Sequence, residues 1–211
     1  MPLSKRLKER TEICKICFNE YYRNSLRTIF RNDHICNTCY KKFNPVFISH
    51  KIDEVKALSI YYYDEETKTL LYQLKGCYDI ELSSVFLANF SYLLKIRFHN
   101  YYVIPIPSYH LDDIAREFNH VEEIFKYLEL PMLKILYKSE KYKQSDQKAK
   151  DRHLISNYLK VSDLKQVENK RILLVDDVIT TGSTLRAAIN LIKEGRPKCI
   201  KILTVAMTKE H

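Results

Sequence analysis

Between Ile172 and Leu185 the chain reads Ile-Leu-Leu-Val-Asp-Asp-Val-Ile-Thr-Thr-Gly-Ser-Thr-Leu. Four apolar residues in a row suit a strand buried on both faces. Two carboxylates, Asp176 and Asp177, follow at its carboxyl end, where open α/β sheets bind ligands. Thr180, Thr181, Gly182, Ser183 and Thr184 then open a helix. That loop offers four hydroxyls and several backbone N–H groups to one phosphate, at the positive end of the helix. Gly182, one of only three glycines in the chain, allows a close backbone approach. A phosphate beside two acids needs a spacer between them. A ribose supplies one, with its phosphate on the loop and its hydroxyls on the carboxylates. No lysine follows Gly182, so this is not a Walker A loop, and it is not a dinucleotide fingerprint. An ordinary helix cap would use the threonines but leaves the two adjacent acids unexplained.

The flanking pattern alternates strands and helices. Strands are predicted over 55–63, 102–107, 132–137, 158–161, 171–176 and 200–206. Helices are predicted over 65–75, 82–98, 112–128 and 184–193, with Gly76 as a helix stop. Residues 138–152 lack apolar periodicity and read as a loop. Such alternation implies an α/β fold with a mainly parallel sheet.

The N-terminal stretch is different. Cys14 and Cys17 form one C-x2-C pair, and Cys36 and Cys39 form another, eighteen residues on. Each pair can aim two sulfurs at one ion, and together they close a tetrahedron, the four-cysteine zinc spacing. Four thiolates leave no open position, so the site is structural. The intervening stretch suits a short hairpin, with turn residues at Arg31, Asn32, Asp33 and His34. A segment this polar has too little core to fold without the metal. Two regions are expected: a zinc-binding module over 1–52 and a second domain over 53–211. Cys199 sits in a strand-like run and reads as core; Cys77 has no assigned role.

The net charge is +9. Residues 1–50 carry ten Lys/Arg and four Asp/Glu; residues 138–152 carry six and three. An excess placed this way favours polyanion partners. Phe18, Tyr21, Tyr22, Phe30, Tyr40 and Phe43 interleave with the first basic segment. That composition suits single-stranded nucleic acid, and equally a small core around the metal. In the second segment Lys141, Lys143, Lys148 and Arg152 could close on a pyrophosphate, contact a nucleic-acid backbone, or stay solvated. No apolar run approaches the roughly 18 residues of a membrane span. The charged first ten residues lack the apolar stretch of a signal peptide, so a cytoplasmic protein with reduced thiols is expected.

The strand–acid–threonine segment resembles the phosphoribosyl-pyrophosphate (PRPP) motif of type I phosphoribosyltransferases. The order of the whole chain resembles the ComF-type late competence proteins, which join a four-cysteine zinc module to such a domain. Leu71-Tyr72-Gln73-Leu74-Lys75-Gly76, Ile104-Pro105-Ile106-Pro107 and Arg116-Glu117-Phe118-Asn119-His120 resemble stretches of that family, and Gln144 and Arg152 fit another in residue order. The resemblance implies a type I phosphoribosyltransferase-like sheet. PRPP would bind with Mg2+ at Asp176, Asp177, Thr180, Thr181, Gly182, Ser183 and Thr184, and Zn2+ on the cysteines. It also implies a role in DNA uptake during transformation, with single-stranded DNA and a ComFA-type helicase as partners. The alternative is a working phosphoribosyltransferase in nucleobase salvage. Glu117 replaces a glycine and His120 a glutamine of the family pattern. Asp112 and Asp113 stand where members carry Lys or Arg. Two acids there would repel a trianionic pyrophosphate, which speaks against turnover but not against ribose-phosphate binding.

Overall fold

The computed structural model describes residues 11–22, 34–43, 45–108, 110–138 and 158–209. Strand β1 (Thr11–Ile13) pairs antiparallel with β2 (Glu20–Tyr22), and helix α1 (Asn37–Lys42) follows. Then come β3 (Ile48–Ile52), β4 (Val55–Tyr62) and α2 (Glu65–Gly76). A 3-10 turn (Ile80–Leu82) leads into α3 (Ser83–Leu87), α4 (Ser91–Arg97) and β5 (Tyr101–Pro105). The remainder is α5 (His110–Arg116), α6 (His120–Phe125), β6 (Leu136–Lys138), β7 (Leu159–Val161), β8 (Arg171–Ile179), α7 (Ser183–Glu194) and β9 (Cys199–Met207).

The main sheet has the order β3-β4-β9-β8-β5, antiparallel only at the β3–β4 edge. The fold is therefore the expected α/β type with a mostly parallel sheet. Alternation along β8 sends Leu173 and Val175 into one apolar layer and Ile172 and Leu174 into the other. The first layer is closed by Leu70, Leu71 and Leu74 of α2, Phe86 of α3, and Val121, Ile124 and Phe125 of α6. Leu185, Ala188, Ile189 and Ile192 of α7 close the second. Burial on both faces explains the unbroken apolar run of β8.

Several expectations change. The helix predicted over 82–98 is two helices. All five residues of α3 are buried, whereas α4 buries only Leu94. The chain breaks where that environment changes, and Phe90 packs edge-on against Phe47. The helix predicted over 112–128 is broken at Glu117, whose φ of 64° lies outside the right-handed helix. Asn119 then caps α6, its side chain accepting from the Glu122 amide at 3.0 Å. Of the strand predicted over 132–137, Met132 makes one isolated bridge to Val103 and only the end joins β6. Strand β8 runs on to Ile179, so both acids lie within the strand and not after it.

Strand β3, absent from the sequence reading, pairs along its length with β4, on the two sides of position 52/53. The cysteine segment packs on the sheet. Cys14, Ile35, Cys39 and Phe43 belong to the first apolar layer, and Phe43 stacks on Tyr61 with centroids 4.1 Å apart.

Candidate functional site: a cysteine cluster and an acid–threonine loop

The first cysteine pair occupies the loop between β1 and β2, and the second brackets the start of α1. The four sulfurs all lie within 4.8 Å of one another. The β1–β2 hairpin carries the first cysteine pair in its own loop; residues 23–33, most of the stretch expected to form a hairpin between the pairs, lie outside the described ones. A tetrahedral site with Zn–S bonds of about 2.3 Å has edges of about 3.8 Å. Cys17 Sγ and Cys36 Sγ are 3.8 Å apart. The Cys36 amide donates to Cys14 Sγ at 3.3 Å and the Cys39 amide to Cys36 Sγ at 3.5 Å. Amides aimed at sulfur favour thiolates. Burial, then its cysteine neighbours, push the Cys39 thiol up, a cost that a divalent cation would remove. The residues present fit a structural ion such as zinc. Among the nearby rings, Phe43 is core, while Phe18 and Tyr22 are exposed; Phe30 lies outside the described residues.

The loop from Thr180 to Thr184 joins β8 to the twelve-residue α7. Gly182 stands at the N-cap with φ 70°, a conformation that favours glycine. Gly182 offers no side-chain cap, the Thr181 hydroxyl accepts from the Ser183 amide at 3.4 Å, and no acid occupies the first turn. Thr181 and Ser183 hydroxyls lie 3.0 Å apart, and Arg186 donates to the Thr181 carbonyl at 2.8 Å. Arg186 also donates to Asp53, in the β3–β4 turn, at 3.1 Å. The edge hairpin thus braces a helix start whose amide dipoles are open to an anion.

The acid pair is not isolated. Lys75, from the end of α2, ion-pairs with Asp177, and His120 Nε2 of α6 stands 3.6 Å from the same carboxylate. Burial pushes Asp176 up to about 7, against the opposing pull of Lys75 and then Lys138. Burial lowers Lys75 to about 8, with the Asp176 charge opposing and Arg116 and Lys138 adding to the fall. Burial first, then the Lys75 and Arg116 charges, hold His120 neutral. Among the described residues its Nδ1 has no hydrogen-bond partner. Nothing in sequence spacing assigns Lys75 or His120 to the acids. The one signal is a lysine ending the apolar face Leu70, Leu71, Leu74.

Asp113 is also spoken for. Arg116 donates to it at 2.7 Å, Asn119 at 2.8 Å, and Ser108 adds a third bond. Its charge is paired inside the turn that presents His120, which corrects its expected role as a free acid repelling pyrophosphate. Pro105, Pro107, Ser108, Asn119, Leu136, Tyr137 and Lys138 line an adjoining cavity of about 500 Å³. Lys141, Lys143, Lys148 and Arg152 lie outside the described residues.

Residues 111–211 match the phosphoribosyl transferase domain. Competence protein ComFC of Bacillus subtilis (strain 168) is 28% identical over 150 residues, 70% of this chain and 62% of that protein. Competence protein F of Haemophilus influenzae is 33% identical over 100 residues, 44% of each. The chain is ComFC-like, with a phosphoribosyltransferase domain. The match to this ComFC spans less than two thirds of the relative's own length. A solved hypoxanthine phosphoribosyltransferase from Staphylococcus aureus aligns over 65% of the chain and 62% of its own, at 13% identity and a TM-score of 0.35. Among the described residues no helix is long and apolar enough to cross a membrane.

Proposed function

We propose that this ComFC-like chain is an accessory protein of DNA uptake whose phosphoribosyltransferase-type site binds the ribose 5-phosphate part of PRPP. One observation carries the reading. Two acids near the carboxyl end of β8 precede the threonine loop and a glycine-hinged helix start. Thr180, Thr181, Gly182, Ser183 and Thr184 would hold the phosphate, and Asp176 and Asp177 the sugar hydroxyls. Asp177 would exchange its ion pair with Lys75 for, or share it with, a hydroxyl. Magnesium would arrive on the pyrophosphate and take one or two carboxylates, as suits an ion that keeps phosphate and water ligands. The names of the relatives support competence; single-stranded DNA and a ComFA-type helicase are the partners this reading expects, in the cytoplasm. The cysteine module, over about 1–52, would be held by zinc.

The alternative, a working phosphoribosyltransferase in nucleobase salvage, draws support from the cavity lined by Leu136, Tyr137 and Lys138, and from the pairing of Asp113 with Arg116. Calorimetric titration with PRPP and magnesium tests the first reading, which fails if heat of binding is absent. Pyrophosphate release in the presence of nucleobases decides for the second.

A further inference from the structure

A row of cations crosses the sheet at the end of the strands away from the acid pair. Arg171 opens β8 and Lys201 lies near the start of β9. Strand alternation puts both on the face of Leu173, Val175, Leu203 and Val205. Tyr101, first in β5, is the register partner of Arg171, and Arg97 ends α4. The Phe98 and Tyr101 rings meet edge to face, with centroids 5.5 Å apart. Arg97 lies 5.8 Å from the Phe98 centroid and Lys201 5.9 Å from it. Lys201 and Arg171 lie 5.1 and 5.9 Å from the Tyr101 centroid. The row continues to the sheet edge. Lys56, on the same face as Leu58, stands directly opposite Lys51 of β3.

Among the described residues no carboxylate ion-pairs with Lys51, Lys56, Arg97, Arg171 or Lys201. Other surface cations do have acids: Lys95 with Glu129, Arg186 with Asp53, Arg196 with Glu168. Like charges opposed across a strand pair destabilise it. A ring contact holds a cation in place but leaves its charge whole. Five gathered positive charges without a counterion are a surface waiting for one.

We propose that this row binds the sugar–phosphate backbone of single-stranded nucleic acid. Lys201 is level with Leu173, two residues beyond Arg171, and neighbouring strands lie about 4.8 Å apart, so the cations on β8, β9, β4 and β3 form an oblique line of roughly 16 Å end to end. A line suits a chain of phosphates better than one small anion. Phe98 and Tyr101 are 2% and 5% exposed. They are platforms for cations and not for bases, so the contact reads phosphates and tolerates any sequence. The proposal deepens the DNA part of the function proposed above and rests on it for the choice of strand. It assigns the contact to residues other than Lys141, Lys143, Lys148 and Arg152.

The test replaces Arg97, Arg171 and Lys201 together with glutamine in the full chain. Binding of a labelled oligothymidylate is followed by anisotropy across a salt series. Each single-strand phosphate contact contributes a slope of about −0.7 in log affinity against log salt. The triple variant is expected to bind on the order of tenfold more weakly at low salt, with a slope about 2 units shallower. PRPP titration should be unchanged. If the triple variant does not fold, Lys56→Gln and Arg171→Gln, both at exposed positions, should each flatten the slope by about 0.7. Variant and wild type with equal affinity and slope would overturn this surface and leave the DNA reading standing. A wild type that binds no strand overturns both. Loss confined to anionic lipid vesicles, with strand binding intact, overturns the proposal in favour of a membrane surface.

Discussion

The cysteine cluster and the acid–threonine loop differ in how far the chain travels to complete them. All four sulfurs come from residues 14–39, and two short turns bring them within 4.8 Å. The loop's phosphate half is equally local, five consecutive residues at one helix start. Its acid half is not. Burial raises Asp176 against the pull of Lys75, about a hundred residues earlier, and of Lys138, and Asp177 pairs with Lys75 beside His120. A site completed by neighbours in sequence needs only its ion or anion. A site completed by distant helices has its electrostatics fixed by the whole fold.

The largest effect should come from Cys36→Ser. Structural metal sites contribute folding free energy outright, so stability should fall by on the order of 5 kcal/mol or more. Because Phe43 stacks on Tyr61 and meets Phe86 edge-on, we expect the loss to reach the sheet, as one transition at lower temperature. Metal analysis with calorimetry checks this. An unchanged metal-to-protein ratio, or a second transition left at the original temperature, would show the cluster to be less bound up with the rest than the comparison holds.

Next is the double change Asp176→Asn with Asp177→Asn. A hydrogen bond to a charged group contributes about 1.5–3 kcal/mol, so PRPP affinity should fall about tenfold to several hundredfold. Thr181→Val should cost less, since it removes a hydroxyl and no charge. Titration calorimetry of the folded variants reads both. Undiminished affinity in the double variant would reduce the acids to scaffold.

These outcomes bear on what a sequence can reveal. The C-x2-C spacing and the Asp-Asp…Thr-Thr-Gly-Ser-Thr run are legible because each encodes a geometry within a turn or two. The sheet was legible through apolar runs in β4, β8 and β9, yet β3 was not. It is an edge strand, Ile-Ser-His-Lys-Ile, with three polar residues in a row between its isoleucines, so the sequence shows neither alternation nor an apolar run. The breaks inside 82–98 and 112–128 were hidden because apolar spacing continues across them, while Glu117, with φ 64°, and the extended Asn119 leave helical geometry without any apolar signal. Lys75 carries only the mark of ending an apolar face, since its partner is chosen by how α2 lies on β8.

The pH dependence isolates the distant contribution. Asp176 is raised from 3.8 to about 7, so the folded protein favours its protonated form. Its stabilising contribution is present below about pH 4 and is lost as pH rises through about 7. Ligand binding runs the other way, since a sugar hydroxyl donates to the ionised carboxylate. PRPP affinity should therefore rise severalfold between about pH 6 and pH 8. Asp176→Asn should remove the part of that rise not due to the ligand's own phosphates. A wild-type profile no steeper than the variant's would mean that the burial of Asp176 does not govern binding.

The smallest effect tests whether the turn presenting His120 belongs to the site or only to the scaffold. Glu117 holds φ 64° between α5 and α6, where a side chain is strained and glycine is not. Neighbouring Arg116 and Asn119 tie Asp113 into a closed set of bonds, and Asn119 caps the helix that carries His120. Glu117→Gly relieves the strain but adds freedom to the unfolded chain, so the two terms partly cancel. A net gain of about 0.5–1 kcal/mol is expected, read as a small rise in the thermal midpoint. PRPP affinity should not move, because the turn geometry is already the one glycine prefers. A stability gain with weaker binding would mean that the glutamate itself, or the stiffness it confers, helps to hold His120 against Asp177. The distant half of the site would then extend one turn further than the contacts of Lys75 and His120 indicate.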